Sequence, residues 1–228
     1  MLVNFRVEPE VMRRLLPNRF RPKLHKDYAV AGICLIRLEH IRPKLLPPIA
    51  GLSSENAAHR VAVLWEDENR RLQEGVFIPR RDTDSLMNHW AGGRIFPGEH
   101  HRASFTTHQS ESEISLEMKS EDERVAVRIA GSITDKLPGS SIFSSLAEAS
   151  SFFEKGSLGY SVTSSSNRLD GLKLETKQWR VEALDVCDVS SSYFGNESLF
   201  PRGSVAFDHA LIMRNIEHEW HSAPDLYV

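Results

Sequence analysis

From His59 onward the chain alternates, and this alternation limits its fold more than any other feature. His59, Val61, Val63 and Trp65 fall on one face of an extended segment, with Arg60, Ala62, Leu64 and Glu66 on the other. A period of two marks a strand, because successive side chains point to opposite faces. The charged stretch Glu66–Arg71 reads as a turn, and Gly75–Pro79 as the returning strand of a hairpin. The rhythm recurs at His101–Thr107, at Ile114, Leu116 and Met118, and, past the acidic turn Glu121–Glu123, at Val125, Val127 and Ile129. These segments form an antiparallel meander.

Tyr28–Leu38 is a near-continuous apolar run, expected as a strand buried on both faces. Val3–Val7, Gly159–Thr163, Leu172–Ala183, Val186–Phe194 and Val205–Met213 complete the predicted strands. Helices are few and short. Pro9 opens one that buries Val11, Met12, Leu15 and Leu16 and stops at Pro17. Ser145 and Glu148 have capping-box spacing at the head of another, whose Leu146, Ala149 and Phe153 share a face and which Gly156 follows. A brief helix is expected after Thr83 or Asp84, closed by Gly92-Gly93, and the Pro-rich Arg42–Pro48 is a loop. The class is α+β, predominantly antiparallel β, with a large curved sheet able to close into a barrel. No linker-like composition divides the chain, and Ser164–Ser166 reads as a turn, so residues 1–228 are expected as a single domain.

Composition narrows the function. With 40% apolar and 26% charged residues the chain can bury a core, and a net charge of −3 gives no reason to expect a nucleic-acid or membrane partner. Two cysteines, Cys34 and Cys187, read as free thiols of a reducing compartment. No signal-peptide pattern opens the chain, and no apolar run nears the roughly 20 residues that span a bilayer. The expectation is a cytoplasmic protein with no cofactor.

The chemistry-bearing residues concentrate between Arg80 and Arg102. This segment carries Arg80, Arg81, Arg94 and Arg102, the acids Asp82, Asp84 and Glu99, and His89, His100 and His101. Pro97-Gly98 bends the backbone before a strand on which His101, Ala103 and Phe105 share one face and His100 and Arg102 the other. Three readings fit. Arginines hold a carboxylate through paired donors while a histidine or carboxylate moves a proton. Alternatively, His89, His100, His101 and Glu99 hold a divalent metal, or the charges are surface ion pairs of little energetic weight. His218, Glu219 and His221 depart from the zincin helix signature because the second histidine comes one residue early.

Several stretches resemble the acetoacetate decarboxylase-like superfamily, specifically its uncharacterised branch. VEPEVMRRLLPNRFRPKL is similar to the family's opening. SENAAHRVAV resembles its strand with a recurring glutamate and arginine, here Glu55 and Arg60, and GVFIPRRDTDS resembles the strand that follows. GGRIFPGEHHRASF sits where the decarboxylases carry Gly-Arg-Glu and then Gly-(Phe/Tyr)-Pro-Lys-Lys. FFEKGSLGYSV, LDGLKLETKQWRVE and SVAFDHALIMRNIEHEW extend the likeness along the chain.

The resemblance implies a barrel-like domain with a central cavity, and in the decarboxylases a Schiff-base lysine. Here His100, His101 or Arg102 stands in that lysine's place. A protonated guanidinium forms no useful imine, and histidine supplies no iminium electron sink. The expectation is a protein that binds a small anionic organic acid or carbonyl compound. If it is an enzyme, its lyase- or hydratase-like activity uses no lysine imine; the alternatives are a non-catalytic binding or structural protein and a His-dependent metal enzyme. In the expected site Arg94 and Arg102 clamp the ligand with Arg80, His100 and Arg60 nearby, His101 or Glu99 transfers a proton, and Glu55 orients it. A homo-oligomer is compatible with this reading.

Overall fold

The computed structural model describes residues 1–41, 52–86 and 98–228. The loop Arg42–Pro48 and the expected helix ending at Gly92-Gly93, together with His89 and Arg94, lie outside the described residues.

The chain runs β1 (Leu2–Val7), α1 (Pro9–Leu15), β2 (Arg21–Pro22), β3 (Leu24–His25), β4 (Tyr28–Ile41), β5 (Leu52–Glu66) and β6 (Leu72–Thr83). It continues through β7 (His100–Gln109), β8 (Glu113–Ser120), β9 (Ala126–Thr134) and the helix α2 (Leu146–Glu154). The last elements are β10 (Leu158–Val162), β11 (Arg168–Thr176), β12 (Glu182–Ser191), β13 (Val205–Ile212) and β14 (His218–Tyr227). Nine strands close a ring in the order β4-β5-β6-β7-β8-β9-β12-β13-β1. Closure leaves the ring no edge strand. A wing of β10, β11 and β14 continues from β6. The ladders are antiparallel except β6–β7 and β6–β10, which are parallel.

Strand β6 is where the sheet forks. Its Val76–Ile78 pair with β10, whereas Arg81–Thr83 pair with β7. Between them the β5 register shifts, so that Ile78 and Pro79 together oppose Arg60. Proline has no N–H for the ladder, and a bulge accommodates it. The bulge places Arg80 opposite His59 and Asp82 opposite Ala57, on the barrel side, and Arg81 opposite Ala58, on the outer side.

The ring interior is packed. Val3, Phe5, Ile33, Val61, Ile129 and Leu184 are buried there in one cluster, and Phe5 stacks on Phe194 with centroids 4.2 Å apart. A second core lies on the outer face, where Leu2, Val30, Ala62 and Leu211 meet Phe143, Ala149 and Phe153 from α2 and the loop before it. Helix α2 starts as its sequence requires: Ser145 Oγ accepts from Glu148 N at 3.1 Å. Glu148 Oε2 accepts the return bond from Ser144 N at 2.6 Å, one residue earlier than in a capping box.

Strand β4 is buried on both faces from Ala29 to Ile33, as its apolar run requires. Strand β5 differs from its sequence pattern. Alternation implied a polar outer face, yet Arg60 is only 4% exposed, because α2 and the wing cover that side. The run Leu172–Ala183 is two strands rather than one. Trp179 leaves the sheet between β11 and β12 and donates its indole N–H to Ser150 Oγ on α2 at 2.9 Å. His218–Tyr227, unassigned from the sequence, adds β14 to the wing. No helix among the described residues is long and apolar enough to cross a membrane.

Candidate functional site

The outer face of β4, β5 and β6 is one wall of a cavity of about 1110 Å³. Cys34 and Ile36 project from β4, Ala58 and Arg60 from β5, and Ile78 and Arg81 from β6. Phe152 and Phe153 of α2, Leu172 and Leu174 of β11, and Trp179 and Trp220 close the apolar remainder. A void of about 30 Å³, room for one water, adjoins it between Arg81, His100, Asn56 and Trp220.

Four guanidiniums line this space; Arg37 is paired with Glu55 and Arg214 with Glu182, which leaves Arg60 and Arg81. Arg60 donates from Nη2 to Asn4 Oδ1 at 2.5 Å and from Nε to Cys34 Sγ at 3.0 Å, and lies 4.8 Å over the Phe153 ring. Arg81 donates from Nε to Ser161 Oγ on β10 at 2.9 Å. Neither forms an ion pair with a carboxylate among the described residues. Burial pulls Arg81 down to about 10, since a desolvated cation without a counter-charge is costly. Ala58 pairs with Arg81, so Arg60 is its diagonal neighbour across the ladder.

His100 follows a tight turn. Gly98 has φ +89°, and a Cβ there would meet Ser161 Cβ at 2.6 Å. Gly98 N donates to Asp170 Oδ2 at 2.9 Å, and Glu99 N to Val162 O at 3.0 Å. This seats His100 beside Arg81 in the parallel β6–β7 ladder, buried, with Nδ1 3.2 Å from Gly98 O.

Of the residues expected from sequence, Arg60 lines the cavity and His100 the adjoining void. Glu55 lines the cavity too, held by Arg37 through Nε at 2.6 Å. Arg80 and His101 face the barrel side instead. Arg80 donates to Asp82 at 2.7–3.1 Å and to Asp122 at 3.0–3.1 Å, and His101 Nδ1 lies 3.9 Å from Asp122. Arg80 holds the Asp122 carboxyl well below the usual range. Arg102 turns outward to Asp84 O and Glu121, and Glu99 is exposed. Arg94 lies outside the described residues.

Sequence reasoning passed over Arg81 and Asn4. Pro79 inside a strand was the available signal for the bulge that turns Arg81 into the cavity. For Asn4 the signal was a polar residue within the apolar LVNFRV. Lys23 and Lys177 also line the cavity, each paired with a glutamate: Lys23 with Glu74 at 2.6 Å, and Lys177 with Glu217, which pushes its ammonium up.

The ring has the acetoacetate decarboxylase-like fold. The chain superposes on the acetoacetate decarboxylase of Legionella pneumophila with a TM-score of 0.50 at 13% identity, covering 100% of this chain and 80% of that one. On an acetoacetate decarboxylase-like enzyme from Sphingomonas wittichii the score is 0.50 at 11% identity, covering 99% and 84%. On the enduracididine biosynthesis enzyme MppR, complexed with the condensation product of pyruvate and imidazole 4-carboxaldehyde, it is 0.57 at 12% identity, covering 99% and 85%. The chain belongs to the DUF2071 family, described as an uncharacterized conserved protein, which it matches over residues 1–211. No curated protein sequence matches it.

Proposed function

We propose that the outer-wall cavity binds a small organic acid, with its carboxylate between Arg60 and Arg81 and its apolar body against Ile78, Leu172 and the tryptophans. One observation carries this reading: Arg81 is half-buried at the cavity wall, its guanidinium desolvated, with a serine hydroxyl as its hydrogen-bond partner. Burial of a cation in this way favours an incoming anion, and a planar guanidinium matches a carboxylate fork. The cavity's size and apolar lining suit a compound with an aliphatic or aromatic body. MppR, which shares the fold, is described in complexes with pyruvate and with a pyruvate condensation product. If the bound acid is turned over, His100 is the proton-transfer group the geometry favours, and imine chemistry has little support because Lys23 and Lys177 are engaged as ion-paired ammoniums.

A thermal-shift panel of aliphatic and aromatic monocarboxylates tests the proposal. Binding at about a hundred times Kd raises the unfolding midpoint by roughly 5–10 °C. Arg81→Met removes the rise while leaving the unliganded midpoint near wild type. No shift across the panel would sink the reading.

A further inference from the structure

Arg60 is held by more than its immediate neighbours. Asn4, on β1, is fully buried, and its Oδ1 accepts from Arg60 Nη2 at 2.5 Å. The other end of the same amide meets His209 on β13, with Asn4 Nδ2 and His209 Nε2 3.1 Å apart. His209 is also fully buried, and its Nδ1 lies 2.6 Å from Asp208 Oδ2. Asp208 is anchored in turn: its Oδ1 accepts from Ile142 N at 2.9 Å and from Arg6 Nη1 at 3.2 Å, and its Oδ2 from Ser141 Oγ at 2.7 Å.

The polarity of this chain is forced. A carboxylate accepts only, so His209 Nδ1 carries the proton that meets Asp208. Nε2 is then left to accept, and the Asn4 amide presents N–H to it. That leaves Asn4 Oδ1, and not its NH2, toward Arg60. Reversing any one link would set two donors face to face inside a dry interior, where an unmatched donor costs about 1–3 kcal/mol. We infer that Asp208, His209 and Asn4 form a positioning relay that fixes Arg60 with an acceptor behind it, so that its remaining N–H groups face the cavity as an anion-selective fork. The relay also sets the Asp208 charge three hydrogen bonds behind Arg60. Phe153 supports the arrangement from below, packing on both Arg60 and the His209 ring, the latter at 5.7 Å.

The selectivity rests on the acid-binding reading; the relay itself does not, and two measurements separate them. Nitrogen-15 histidine NMR of the unliganded protein reads the tautomer directly, the His209 signals being assigned by their loss in His209→Gln. Protonation at Nδ1 with a bare Nε2 is expected. Protonation at Nε2 overturns the relay whatever binds the cavity. The second measurement compares phenylacetate with the shape-matched neutral phenylacetamide. Asn4→Asp places a carboxylate directly on Arg60 and is expected to cut the preference for acid over amide by about tenfold or more. Equal loss of both ligands, or no change in preference, overturns the selectivity. If phenylacetate fails to bind the wild type, the acid-binding proposal falls and the tautomer still decides the relay.

Discussion

His59 sits inside the ring with no accessible surface, and neither of its ring nitrogens has a hydrogen-bond partner among the described residues. Its neighbours are the ring of Tyr193, at 4.7 Å, and Arg80 across the ladder. Burial, reinforced by the Arg80 charge, lowers its pKa from the ordinary 6.5 to about 3. Between those values the unfolded chain takes up a proton that the native protein refuses. No proton-linked penalty therefore applies above about pH 6.5, and stability is lost as pH falls from there toward 3, by up to about 1.4 kcal/mol per unit. His59→Leu removes this dependence. Urea unfolding at pH 7 and pH 5 should show the variant losing about 2 kcal/mol less than wild type over that interval. The alternating pattern was enough to put His59 on the barrel face. It could not reveal the orphaned nitrogens, which depend on what the other strands bring to the same point.

At the scale of elements, the turn before β7 and the bulge in β6 decide which polar groups reach the cavity. Gly98 takes a left-handed conformation hard against Ser161, and two backbone N–H groups clip the turn to Asp170 and Val162. Gly98→Ala has neither the conformation nor the space. It should cost about 1–3 kcal/mol by denaturant unfolding and weaken acid binding further by displacing His100. The turn was legible as Pro97-Gly98, and the sequence placed His100 and His101 on opposite faces, as they are. The side on which Arg80 and Arg81 would emerge was not legible, because one extra residue in a ladder changes which members of a strand share a face. His218–Tyr227 failed differently. Its HEWH opening invites comparison with a helical metal motif, whereas pairing with β11 makes it a strand.

For the whole molecule, a β-rich barrel could be read from the number of alternating segments, and the family resemblance pointed to a cavity. The ring is instead filled and the hollow lies outside it, contrary to the central cavity that the resemblance implied. That outcome follows from β4 and β5 being buried on both sides, a property the apolar run of β4 announced and the mixed composition of β5 concealed. The relay was equally hidden: Asn4 and His209 are far apart in sequence and meet only because β1 pairs with β13.

A wall shared by two compartments has a consequence for how mutations sort. Along β5, odd-numbered positions 57 to 63 belong to the packed ring and even-numbered positions 58 to 62 to the cavity. A position-by-position substitution scan should therefore return a comb, with odd positions failing in folding yield and even ones in acid binding. In β6 the comb starts in the same phase at Phe77 and Ile78. Past Pro79 it inverts, with Arg80 and Asp82 grouping with folding and Arg81 with binding. A scan that keeps one phase through Pro79 would mean that the two arginines had exchanged compartments.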